Sequence, residues 1–205
     1  MTPKRRKSYL PYIVWGLLAA AAAGEGWYYF YWMKTPQYSL GLVQSALSDR
    51  DFDRFERHVD MKSVYSHGYD DIVAEELSEK DKNNPLAAAL IKGLKSTAVK
   101  ELIRETEERF RGDEPDTAKE KASARFLKNA ENRIGTAALS LTDVVSVQRE
   151  GDEATALLRI HDKALGRDFQ WQIRMVKNPE GDWRIVEVTN FRAYLKERKE
   201  ALQQS

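Results

Sequence analysis

Residues 167–176 read RDFQWQIRMV. Phe169, Trp171, Ile173 and Met175 alternate with Gln170, Gln172 and Arg174. A period of two puts one set on each face of a β-strand, so this stretch is a strand with one apolar side. The pattern recurs on either side. Leu139 to Arg149 alternates and is rich in Val, Ala154 to Lys163 does the same, and Trp183 to Asn190 supplies a fourth run. The breaks are Glu150-Gly151-Asp152, Ala164-Leu165-Gly166 and Asn178-Pro179-Glu180-Gly181-Asp182. All are short, as hairpins require, and four strands joined in this way predict an antiparallel meander.

Upstream the period changes to that of helices. Thr35-Pro36 reads as an N-cap followed by proline in the first helical position, with Leu40, Val43 and Leu47 at helical spacing behind it. Asp51 caps a short helix carrying Phe52, Phe55 and Val59, and Asp60 starts a third with Val64, Ile72 and Leu77. Asn84-Pro85 is a second cap-and-proline signal. It opens a long helix whose stripe is Leu86, Leu90, Ile91, Leu94, Ala98, Leu102 and Ile103. Residues 112–116 (GDEPD) form a linker, and Ala118 to Arg133 makes one more helix anchored by Phe126 and Leu127. Helices first and strands second predict an α+β domain with the helices on one face of the sheet. Its helical part spans 35–133, its sheet 139–190, and a C-terminal helix 191–203.

The N-terminal stretch has a different chemistry. Lys4, Arg5, Arg6, Lys7 and Lys34 face Glu25 alone within residues 1–34, although the whole chain of 205 residues is nearly neutral at +1. From Tyr9 to Trp32 there is no Lys or Arg. A helix of that length reaches about 36 Å, enough for a hydrocarbon core of about 30 Å. Aromatic residues stand at both ends, Tyr9, Tyr12 and Trp15 at one and Trp27 to Trp32 at the other. The expectation is therefore a single transmembrane signal-anchor over residues 9–33, after a basic cytoplasmic tail over residues 1–8. Lys4, Arg5, Arg6, Lys7, Trp27 and Trp32 would mark the membrane interfaces, and residues 34–205 would lie outside the cytoplasm. A cleaved signal peptide, with Ala21-Ala22-Ala23 as its processing site, is the competing reading. Cleavage would leave a chain starting at Gly24 with six consecutive aromatics in water, so retention is preferred. Gly16, Ala20 and Gly24 recur every four residues, a spacing that lets two helices approach closely and suggests a homodimer through the anchor.

Composition excludes several classes. Lys plus Arg is 33 against 32 Asp plus Glu, so no broad basic face for nucleic acid is expected. There is no Cys, hence no thiol catalysis or disulfide framework. Asp49, Asp51, Asp53 and Asp60 match some positions of a calcium loop, but Arg54 stands where that loop needs glycine. His58, His67 and His161 make no zinc-type pair, and no phosphate-binding or nucleophile-elbow motif is present. No cofactor, metal or catalytic residue is assigned. Arg192, Lys196, Arg198 and Lys199 read as cations complementing a helix dipole.

Three stretches carry a resemblance: YSLGLVQSALSDRDFDRFERHVDMKSV (38–64), NPLAAALIKGLKSTAVKELI (84–103) and GDWRIVEVTNF (181–191). With the basic start and aromatic-ended anchor, they resemble a bacterial family catalogued as domain of unknown function 2939. The late sheet is similar to the nuclear-transport-factor-like (cystatin-like) fold. The resemblance spans about residues 5–110 and 139–191 and implies a membrane location and a cone-shaped α+β fold, but no activity. In such folds helices cover a bent sheet and the opening between them holds a ligand. Phe169, Trp171 and Trp183 are candidates for the wall of that pocket; the competing and preferred reading is that these rings are core packing, as aromatic stripes on strands usually are. The functional expectation is an anchored protein whose outer domain binds a small ligand or a partner at the cell envelope. The alternatives are an envelope enzyme using the same concavity, with His161 or a strand carboxylate as the acid–base group, and a structural protein dimerising through its anchor.

Overall fold

A computed structural model describes residues 10–76, 85–112 and 139–204. The basic cluster Lys4 to Lys7, the polar stretch 80–84 and the helix expected over 118–133 lie outside the described residues. The described residues form six helices and four strands: α1 (Leu10–Trp32), α2 (Pro36–Asp49), α3 (Phe52–His58), α4 (Met61–Glu76), α5 (Pro85–Arg111), β1 (Leu139–Glu150), β2 (Glu153–Asp162), β3 (Arg167–Lys177), β4 (Trp183–Val188) and α6 (Phe191–Gln204). The fold is α+β.

The strands form one antiparallel sheet in the order β1-β2-β3-β4. Each hairpin turn carries a glycine with positive φ (Gly151, Gly166, Gly181), a conformation that a Cβ would strain. Across β2 and β3 the pairs Ala154–Met175, Ala156–Ile173, Leu158–Trp171 and Ile160–Phe169 stack on one face. That face is the core, shared with Leu40 of α2 and with Trp183. Strand β1 departs from simple alternation. Two register shifts, at Leu141/Asp143 and Val144/Ser146, lengthen its period so that Leu141, Val144 and Val147 all reach the core.

The helix starts follow their caps. Thr35 Oγ1 accepts from Tyr38 N–H, Asp51 Oδ1 from Arg54 N–H and Asp60 Oδ1 from Ser63 N–H. Arg50 ends α2 in the left-handed region with its N–H on Ala46 C=O. Between α3 and α4, Val59 pairs with Ile185 as a parallel bridge, and Asp60 N–H donates to Ile185 C=O at 2.8 Å. This ties the helical layer to the free edge of β4. The second helical layer is α5 on α4, joined through Tyr69, Ala98, Val73 and Leu102. Leu94, expected on the α5 stripe, is instead exposed. At the other end of α5, Phe110 packs on Phe52 and Phe55 of α3.

The transmembrane expectation is corrected. Among the described residues no helix is long and apolar enough to cross a membrane. Length is not what α1 lacks, since it has 23 residues. Its apolarity is diluted by Gly16, Gly24, Gly26, the carboxylate of Glu25, and a Trp- and Tyr-rich end whose N–H and O–H groups favour water. The signal-anchor over 9–33 and the interface roles of Trp27 and Trp32 go with the span. The argument that placed residues 34–205 outside the cytoplasm used that span and, without it, assigns no side.

Candidate functional site

The three rings expected to wall a pocket occupy two places. Trp183 is fully buried in the main core. Its indole N–H donates to Lys34 C=O at 2.9 Å, and the Arg149 guanidinium stacks 5.3 Å from the ring. Phe169, 3% exposed, belongs to an aromatic cluster with Phe191 and Tyr194 of α6. Tyr194 meets Phe169 edge-on at 5.0 Å. Trp171 lies between the two cores, half-buried, edge-on to Phe191 and Tyr194. Its indole N–H is buried and has no hydrogen-bond partner.

The cluster is closed by a buried ion pair. Asp162 is the last inward position of β2, following Ala154, Ala156, Leu158 and Ile160. Its Oδ1 accepts from Ala164 and Leu165 N–H, forming the β2–β3 turn. Its Oδ2 accepts from Arg198 Nε at 2.7 Å, with the two side chains 0% and 4% exposed. Arg198 is thus no surface cation serving the dipole of α6. Once Asp162 is buried in the turn, its charge requires a cation within reach. Burial pushes the Tyr194 hydroxyl above its ordinary pKa, and Arg198 partly offsets this.

A second polar group lies where α4, β4 and α6 meet. Burial, first, and then the charge of Glu187 push the Asp71 carboxyl above its usual range, while Arg192 and His67 pull it back. Glu187 is held by Arg174 across the strands, and Arg192 Nε lies 3.4 Å from Glu75. His67 Nδ1 is buried without a hydrogen-bond partner. His67 and Asp71 are both on α4. His161, the histidine named as an acid–base candidate, faces away from the core and shares a 2.7 Å hydrogen bond with Asp168 opposite it on β3.

The calcium-like aspartates have structural work instead: Asp51 and Asp60 cap helices, and Asp49 and Asp51 pair with Arg54. Among the described residues no cluster of His, Asp or Glu is arranged to hold a metal ion.

No protein-family model, curated protein or solved structure matches this chain. The comparisons therefore bear on neither the resemblance to domain of unknown function 2939 nor a nuclear-transport-factor-like fold.

The remaining unusual surface is α1 itself. Of fifteen large apolar side chains exposed among the described residues, eleven belong to it, including Trp15 (72%), Trp27 (78%) and Phe30 (75%). Gly16 and Gly24 have open space where a Cβ would stand, so the fold of one chain does not require glycine at either position. The chain just past its C-terminal end is tied to the sheet. Lys34 Nζ bonds Asp182 Oδ1 at 2.7 Å and Glu180 C=O at 3.0 Å on the β3–β4 turn, and Thr35 Oγ1 donates to Trp32 C=O. Sequence reading missed Asp162 and Arg198, although a carboxylate in an otherwise apolar alternating row was a usable signal. Asp71 and Glu187 gave no such signal, because residues so far apart in the chain meet only in three dimensions.

Proposed function

We propose that this protein works by association: its α+β domain is a self-contained scaffold that holds α1 out for a protein partner. The observation that carries the reading is the concentration of exposed apolar surface on one helix. A helix that exposes large apolar and aromatic side chains at this density is stabilised in water when another element covers part of them. The domain does not cover it, yet it holds the base of α1 through Lys34 and Trp183. Small-ligand binding in the sheet concavity has less in its favour, because Phe169 and Trp183 are filled into core. Oxidative footprinting of the full chain, in cells and after isolation at high dilution, tests the reading. Trp27 and Tyr31 are expected to be protected in cells and reactive when dilute. Equal, full reactivity in both states would remove its basis.

A further inference from the structure

We infer that the partner of α1 is a second copy of this chain, with α1 packed against α1. This rests on the reading of α1 as the element that binds, and adds the identity of what it binds.

The first ground is chemical matching. From Leu10 to Trp32 the only charged side chain at neutral pH is Glu25. A covering surface must therefore be free of charge over about six helical turns, and α1 of another copy meets that condition by symmetry. Ile13, Leu17, Ala20, Gly24, Trp27 and Tyr31 follow one another at steps of four, three, four, three and four. That spacing forms the seam along which two helices interlock side chains. Glu25 lies about 120° round the helix from the seam, at 100° per residue, so pairing leaves it in water.

The second ground is area. Large aromatic side chains bury about 150–250 Å² each when fully covered. Covering most of Trp27 and Tyr31 and the seam-facing side of Tyr28, together with Ile13, Leu17 and the open backbone at Gly16 and Gly24, removes roughly 600 Å² per copy. Stable interfaces begin at about 1,200 Å² in total. The third ground is preorganisation: the hold on Lys34 fixes the point from which α1 leaves the domain, so that point needs no further ordering on pairing.

The test uses the full chain without detergent. Light scattering after size exclusion is expected to give the mass of two copies, or a multiple, persisting on dilution to about 1 µM. The double variant Trp27→Asp/Tyr31→Asp is expected to run as a monomer with an unchanged thermal melt of the α+β domain. Leu47→Asp, at an exposed leucine of α2, is expected to keep the parent mass. A parent that is monomeric while another protein protects its α1 residues in cells would overturn the inference and leave the broader reading intact. A monomeric parent whose α1 is equally reactive in cells and in dilute solution would overturn both. Flotation of monomers with phosphatidylglycerol vesicles, blocked by the double variant, would also overturn the inference.

Discussion

The two terminal helices differ in the opposite sense to their composition. α1 has 23 residues with a single carboxylate and leaves its large side chains in water. α6 has 14 residues, among them Arg192, Lys196, Glu197, Arg198, Lys199 and Glu200, yet Phe191, Tyr194 and Arg198 are buried. What differs is arrangement. Phe191, Tyr194, Leu195 and Arg198 recur every three or four residues, so one face of α6 fits the sheet while the other stays solvated. α1 has large apolar side chains all round, so no single side of it is marked out for its own domain to cover. Hydrophobic content therefore sets how much surface a helix must hide, and periodicity sets whether its own domain can hide it.

The largest expected effect breaks the buried half of that contrast. Asp162→Ala leaves Arg198 as an uncompensated buried charge and removes the turn bonds at Ala164 and Leu165. Chemical denaturation is expected to show a loss of about 3–5 kcal/mol. A loss below about 1 kcal/mol would mean that α6 docks through its aromatic residues alone.

A smaller effect is expected at Asp71, whose carboxyl is raised in the folded state by burial and by Glu187. The folded protein then holds this proton more tightly than the unfolded chain. The stabilisation from protonation is complete below the unfolded value of about 3.9 and is lost as pH rises through the folded value. Asp71→Asn, which keeps the group neutral, is expected to raise the Tm at neutral pH and to lose that advantage on acidification below about pH 4. A lower Tm at neutral pH would show that Arg192 and His67 outweigh the burial and repulsion.

The smallest effect sharpens the exposed half. Trp15→Ala on α1 is expected to change the unfolding free energy of the α+β domain by less than about 0.5 kcal/mol, as for a surface site. A core-sized loss would show that the domain itself uses α1 for its stability.

Much of the architecture was legible in the chain. The caps at Thr35, Asp51 and Asp60, the glycines of the three hairpins and the alternation of β3 are local signals, and each formed the element it predicted. The bulges of β1 were not legible, because a strand shifts register to follow a neighbour's twist, which its own residues do not encode. The placement of Phe169, Trp171 and Trp183 was legible only as an inward face. Whether such a face lines a hollow or fills a core depends on the residues opposite, here Phe191, Tyr194 and Leu40.

By itself the sequence determined the α+β class, the meander of four strands and the apolar character of α1, since these follow from periods and turn residues a few positions apart. Tertiary structure decided that Arg198 is a buried partner of Asp162, that Asp71 and Glu187 share a corner, and that the domain leaves α1 uncovered. The reason is physical: burial and charge pairing are properties of neighbours in space, and the chain brings those neighbours together only after its local elements have packed.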